Sequence, residues 1–253
     1  MNRKSSDLMV LNHVSAGYGD QSIVTDIDLK MSPGDILGLL GANGSGKTTL
    51  LKAITGQIVL MAGGITINGI DLGQFPESAK SSLGLAIEPH ELPLSLTGQE
   101  YLEMVASIRG CDVRDWPCAG LTERLDLDRW LDLSIWQYSL GTRARIAIAA
   151  ALLGAPPLLI FDESLNGLDP VVSWEVKAML RELAATGKHA VVISTHVLES
   201  VPSLCNRAAL LASGRIVAHW NAGQLVGASQ APGFFEAAVM QTLRNRTAQG
   251  IGY

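Results

Sequence analysis

Charge and aromatic side chains are scarce in this sequence of 253 residues: 17% are Asp, Glu, Lys or Arg, and 5% are Phe, Trp or Tyr. With 47% hydrophobic residues and a mean hydropathy of +0.24, the chain is more apolar than a typical soluble domain, which by composition points to a membrane. What it lacks is a segment able to cross one. The longest chargeless stretch of its apolar middle, Ile146 to Phe161, is broken by Pro156 and Pro157, whereas a spanning helix needs about 18 to 20 uninterrupted apolar residues. Met1 to Val10 carry Arg3, Lys4 and Asp7 with no apolar core behind them, unlike a secretory signal, so the chain is expected to stay in the cytosol. Cysteine is sparse as well. Cys111, Cys118 and Cys205 cannot all pair, and their spacings match neither a zinc knuckle nor Cys-x-x-Cys; they read as reduced, small apolar fillers. Bases are outnumbered, 19 against 24 acids, and form no stripe, which excludes nucleic acid as a partner.

What is present is a regular alternation. The residues Val10 to Ser15 and Ile23 to Met31 alternate like two strands of a hairpin turning near Gly17, Gly19 and Asp20. Ile36 to Leu40 is a short buried-strand run, followed by a glycine-rich turn and a helical stretch, Lys47 to Thr55. Gly64 to Asn68 is a further strand ending in an Asn68-Gly69 turn. From Pro89 to Ala155 the pattern is helical, with segments at Glu100–Arg109, Leu121–Leu127 and Thr142–Leu153. Then follow a strand Leu158–Phe161, a helix Val171–Ala184, a strand His189–Ser194, a helix Val197–Leu204, and strands Ala208–Ala212 and Arg215–Ala218 around Gly214. Phe234 to Arg246 has helical spacing with Phe235, Val239, Met240 and Leu243 on one side. The five tryptophans, Trp116, Trp130, Trp136, Trp174 and Trp220, are scattered and read as packing. The fold class is α/β, with a mainly parallel sheet and helices on both faces.

Two motifs carry chemistry. Gly41, Ala42, Asn43, Gly44, Ser45, Gly46, Lys47 and Thr48 match the phosphate-loop pattern in full, between a strand and a helix. Glycines let backbone N–H groups converge on a polyphosphate, and the helix adds its positive end. Lys47 is placed to reach the β and γ phosphates, and the Thr48 hydroxyl to ligate Mg²⁺. The second motif is Leu158 to Glu163, an apolar strand ending in two carboxylates, at the end where open α/β sheets gather ligands. Asp162 would hold Mg²⁺, and Glu163 would orient and activate water for attack on the γ phosphate.

The spacing of these motifs and of Asp162-Glu163-Ser164-Leu165-Asn166-Gly167-Leu168-Asp169-Pro170 and Ser194-Thr195-His196 resembles the nucleotide-binding subunits of ABC transporters, from about Leu8 to Ala218. The resemblance implies a P-loop NTPase core, RecA-like, at about 8–88 and 156–220. It also implies an N-terminal antiparallel β subdomain near 8–31 and 64–68, an α-helical signature subdomain at about 89–155, and a helical tail at about 221–253. In that family Tyr18 matches the aromatic that stacks on adenine, Gly41 to Thr49 (with Asn43, Gly44, Ser45 and Gly46) the Walker A loop, and Asp162 with Glu163 the Walker B motif. Gly167, Leu168 and Asp169 match the dimer-contacting D-loop, and His196 the switch histidine.

Two positions depart from the family. Where it usually has Leu-Ser-Gly-Gly-Gln, this chain has Tyr138-Ser139-Leu140-Gly141-Thr142. Ser139 and Gly141 survive, at a helix start able to meet the γ phosphate of a partner subunit. Glu88 aligns with the lid glutamine, and a carboxylate there adds negative charge and must lean on the metal. The resemblance implies ATP and Mg²⁺ as cofactors and a head-to-tail pair of identical or different cassettes. It further implies a separate transmembrane permease and a place on the cytoplasmic face of the membrane, with export favoured over import. A GTPase would need an Asn-Lys-x-Asp base reader, which is missing. A P-loop small-molecule kinase needs no signature segment, and the soluble non-transport members of the family carry tandem cassettes or long insertions that this chain lacks.

Overall fold

The computed structural model describes residues 7–165, 167–228 and 233–248. In chain order the elements are β1 (Met9–Tyr18), β2 (Gln21–Met31), β3 (Ile36–Leu40), α1 (Lys47–Ile54), β4 (Leu60–Ile67), β5 (Ile70–Asp71), α2 (Pro76–Lys80) and β6 (Leu83–Ala86). Then come α3 (Gly98–Arg109), α4 (Leu121–Arg124), α5 (Leu140–Leu152), β7 (Leu158–Asp162), α6 (Pro170–Ala185) and β8 (Ala190–Thr195). The last are α7 (Val201–Leu204), β9 (Arg207–Ala212), β10 (Arg215–Trp220), α8 (Ala222–Ala228) and α9 (Phe234–Ala248). Two sheets result. One is antiparallel, in the order β2-β1-β4-β5; the other runs β10-β9-β3-β8-β7-β6, parallel except for β10.

The parallel strands divide the interior by their two-residue period. Leu37, Leu39, Leu158, Ile160, Val192 and Leu211 face Leu50, Leu51 and Ile54 of α1 and the antiparallel sheet. Ile36, Leu40, Leu159, Phe161, Val191, Ile193 and Leu210 face the other way, onto α5, α6 and the helical insert. A fully buried side chain of this size contributes about 1.5–3 kcal/mol, so both faces of the sheet hold helices firmly. The insert is anchored at its edge by Arg109 at the end of α3. Its guanidinium donates to the carbonyls of Leu153 and Ala151, which end α5, and of Leu83 on β6.

Several boundaries differ from the sequence reading. β6 goes unseen because it is four residues long and contains Gly84, whose missing side chain admits the Ala151 carbonyl: a Cβ would stand 2.1 Å from that oxygen. The helix expected at Leu121–Leu127 stops at Arg124, since Asp126 takes a left-handed φ of 49°. The helix expected over Val197–Leu204 is a 3₁₀ turn, Leu198–Ser200, followed by the single turn α7. Gly17 lies inside β1, and the hairpin turns at Gly19-Asp20. Asn68-Gly69 and Ser213-Gly214 are both left-handed pairs that close hairpins. Trp136 and Trp174 are each 65% exposed, against the packing expectation. Asn166 and the tail residues 229–232 and 249–253 lie outside the described residues.

Bulges in β1 and β2 give His13 and Asp26 left-handed angles and turn both outward. His13 Nδ1 lies 2.8 Å from Asp26 Oδ1 and 3.5 Å from Asp28 Oδ2. The hydrogen bond to Asp26, then the charge of Asp28, raise the imidazole above its ordinary 6.5. The folded state therefore favours the imidazolium: this stabilisation is complete below 6.5 and is lost as pH climbs through the raised value. An NMR titration should place the His13 midpoint above 6.5, and Asp26→Asn should bring it down. A midpoint at or below 6.5 in the unsubstituted chain would show that the pair does not form in solution.

Candidate active site

The loop between β3 and α1 is shaped by what its glycines exclude. A Cβ on Gly41 would stand 2.4 Å from Ser45 Oγ and 2.5 Å from the Leu211 carbonyl, so only glycine fits there. Gly44 and Gly46 take φ of 80° and 104°, and a Cβ on Gly46 would press to 2.7 Å of Val24 on β2. Ser45 Oγ is buried and, among the described residues, meets no hydrogen-bond partner. A buried hydroxyl left so is a place a ligand oxygen would answer. Lys47 is 6% exposed; its ammonium donates to the Gly41 carbonyl at 2.8 Å and the Ala42 carbonyl at 3.3 Å, and stands 3.8 Å from Glu163 Oε1.

Strand register brings the acidic end of β7 to this loop. Leu40 pairs with Thr195 and Asp162 with Ser194, so β3, β7 and β8 finish side by side. The Ser194 hydroxyl donates to Asp162 Oδ1. Glu163, just past the strand, has a φ of 49°, an angle rare for a residue with a side chain, and its N–H donates to the Ser194 carbonyl at 3.2 Å. Its Oε2 lies 3.1 Å from His196 Nδ1, so one carboxylate stands between the lysine and the histidine. Ala86 pairs with Phe161, which carries the chain just beyond β6 to the same end. Thr48, Glu88, Asp162 and Glu163 line one cleft of about 350 Å³. The hydroxyl of Thr48 and the carboxylates of Asp162 and Glu88, all lining this cleft, would offer Mg²⁺ the oxygen donors that suit it.

The remaining residues singled out in the sequence lie around this centre. Tyr18, 52% exposed, pairs with Gln21 at the hairpin end; three residues further on, Val24 rests on Gly46. Ser139 caps α5, its Oγ accepting the Thr142 N–H at 3.1 Å. A Cβ on Gly141 would be 3.5 Å from the Gly167 carbonyl, so the signature turn abuts the D-loop of its own chain. Of the signature residues it is Leu140, 68% exposed, that lines the cleft with Glu88 and Glu163. Asp169 has a task that the sequence reading missed. Its Oδ1 accepts the N–H groups of Val171 and Val172, capping α6, and its Oδ2 pairs with Arg145. The Val172 N–H above all, with Arg145 assisting, holds this carboxyl below the usual range. Arg145 itself went unassigned; only its spacing on α5, six residues beyond Ser139, could have marked it.

Residues 24–166 match a family model described as ABC transporter. The chain belongs to the ABC transporter family. It is 37% identical over 200 residues to the uncharacterized ABC transporter ATP-binding protein YdbJ of Bacillus subtilis, covering 79% of this chain and 65% of that one. It is 30% identical over 231 residues to the Nod factor export ATP-binding protein I of Rhizobium etli, covering 88% of this chain and 73% of that one. A solved structure of an ATP-binding subunit of an ABC transporter superposes with a TM-score of 0.83 at 28% identity, over 95% of this chain and 99% of that one. The chain is an ABC ATPase cassette, and the form of its phosphate-loop segment rests on Gly41. Gly41→Ala should weaken binding of a fluorescent ATP analogue at least about tenfold and destabilise the fold by about 1–3 kcal/mol. Unchanged affinity would show that the loop relaxes around the added methyl.

Proposed function

We propose that this ABC cassette hydrolyses ATP within a pair of cassettes and passes the resulting motion to a separate transmembrane permease, in the direction of export. The observation that carries this is the convergence of Lys47, Glu163 and His196 at the mouth of a loop holding a buried, unanswered Ser45 hydroxyl. In this reading Tyr18 stacks on adenine, and the N–H groups of Asn43 to Thr49 cradle the phosphates. Lys47 exchanges its two loop carbonyls for phosphate oxygens. Thr48, Asp162 and Glu88 would hold Mg²⁺, which supplies positive charge against the polyphosphate. Glu163 orients the attacking water and takes up its proton as the water oxygen bonds to the γ phosphorus and the bond to the β–γ bridging oxygen breaks. His196, at hydrogen-bond distance from Glu163, holds that carboxylate in line and faces the γ phosphate.

One copy leaves the far side of the nucleotide open to water, so a second nucleotide-binding subunit, identical or different, would close it with Ser139 and Gly141 at the start of its α5. Residues 8–88 and 156–220 form the core in this scheme, 89–155 the helical part that touches the permease, and 221–253 a tail of which Leu225, Ala228, Phe235 and Val239 pack on the core. No helix among the described residues is long and apolar enough to cross a membrane. From the family, we infer a peripheral place on the cytoplasmic face, beside the permease. Export draws on the similarity to the Nod factor export protein.

Two substitutions test the reading. Glu163→Gln should slow hydrolysis about 10²–10⁴-fold and trap ATP in a dimer visible by size-exclusion chromatography; a variant that stays monomeric at saturating ATP would overturn the paired site. Glu88→Gln removes a negative charge from the cleft and should raise turnover or lower the Mg²⁺ concentration for half-maximal activity. An unchanged metal titration would remove Glu88 from the metal site.

A further inference from the structure

We propose that His13, Asp26 and Asp28 form a surface site for a divalent transition-metal ion such as Zn²⁺, separate from the Mg²⁺ position at the phosphate loop and independent of nucleotide. Two bulges build it. Between Leu11 opposite Leu29 and Val14 opposite Ile27, β1 has two residues, Asn12 and His13, where β2 has one, Asp28. Between Val14 opposite Ile27 and Ala16 opposite Val24 the surplus lies on β2, where Thr25 and Asp26 stand against Ser15. Together the bulges leave His13, Asp26 and Asp28 exposed while Leu11, Val14, Ile27 and Leu29 stay buried. The third strand seats the first bulge. A Cβ on Gly63 of β4 would stand 2.3 Å from the His13 carbonyl and 2.4 Å from that of Asn12, so the strands close there around a residue without a side chain.

The donor atoms converge. His13 Nδ1 lies 2.8 Å from Asp26 Oδ1 and 3.5 Å from Asp28 Oδ2, and the group offers one donor atom from each residue with all three within 4.8 Å of one another. Donors about 2.0–2.2 Å from a zinc ion lie about 3–3.5 Å apart around it, so small rotations of two exposed carboxylates complete the set. Both carboxylates are oriented from behind. Asp28 Oδ1 accepts the His13 N–H at 3.0 Å, which leaves Oδ2 towards the ring. The backbone under Asp26 is set by its N–H, which donates to Ser15 Oγ at 3.0 Å, and the cation facing the group, Arg215, approaches Asp26 Oδ2 at 3.8 Å, leaving Oδ1 to the ring. Among the described residues, no other three His, Cys, Asp or Glu side chains come together in this way. An imidazole beside two carboxylates suits a borderline ion better than Mg²⁺ or Ca²⁺, which take oxygen donors. Water fills the open side, and the ring proton passes to solvent as the ion bonds to Nδ1. The bound ion then ties β1 to β2.

The test titrates Zn²⁺ alone into the full-length, nucleotide-free chain by isothermal calorimetry in mildly alkaline buffer, in parallel with His13→Asn, Asp26→Asn and Asp28→Asn. Asparagine tolerates the left-handed angles of His13 and Asp26, so the variants keep the bulges while each gives up one donor. The unsubstituted chain should take up about one equivalent of Zn²⁺, and each variant should lose at least about tenfold in affinity. Excess Ca²⁺ should not displace the ion. With Cu²⁺ as a paramagnetic probe, the NMR signals of His13, Asp26 and Asp28 should broaden before those of Lys47 and Asp162. Should a bulge variant fail to fold, as thermal melting would show, Asp28→Asn carries the same readout from an ordinary strand position. Failure of the unsubstituted chain to take up Zn²⁺ overturns the proposal, as does affinity that survives the substitutions. Equal competition by Ca²⁺ overturns it too, since the group is then an acidic patch without a metal-binding imidazole.

Discussion

The parallel register of β3, β8 and β7 sets the position of everything at the nucleotide end. With Leu40 opposite Thr195 and Asp162 opposite Ser194, three strands end within one residue of each other, and each leads to a different group at the cleft: the glycine-rich loop with Lys47, the acidic pair Asp162-Glu163, and His196. A slip of one residue would send every side chain to the opposite face. It would also move Leu37, Leu39, Ile160 and Val192 out of the layer that holds α1 and the antiparallel sheet. The apolar layers thus fix the register, and the register fixes the site. This is where the unusual hydrophobicity of the chain resides: it fills both sides of one sheet.

Backbone strain and buried charge come together at the points where that register ends. Glu163 adopts a left-handed backbone, and Lys47 buries an ammonium against two carbonyls. Each is unfavourable locally, by about 1–3 kcal/mol for a strained backbone, and each is held by the packing on either side. A site assembled from such groups has part of the reorganisation for its ligand already present in the fold.

The phosphate loop and the acidic strand end were legible in the sequence because their chemistry is local: glycines at fixed offsets, a lysine, a run of four apolar residues before two carboxylates. The hairpin and α6 were legible from periodicity. What escaped was set by contacts distant in sequence. β6 is too short to show a period and exists through Phe161 and Leu158 beside it. The exposure of Trp136 and Trp174 depends on which faces of the insert and α6 turn outward, and the task of Asp169 depends on an arginine 24 residues earlier.

The departure at Leu140 shows how sequence and structure together limit an inference. Losing a glycine would matter if the backbone there needed an angle closed to other residues. Leu140 instead begins α5, directly after Ser139 in the extended conformation of a helix cap, and so has ordinary helical angles. The fold is indifferent to the missing glycine. What changes is the surface: a large apolar side chain, mostly exposed, lies at the rim of the cleft lined by Thr48, Glu88 and Glu163. An exposed leucine beside these polar groups adds apolar area that a second surface would bury on closing over the cleft. The substitution therefore acts on the closing of the site and leaves the build of the single chain unchanged.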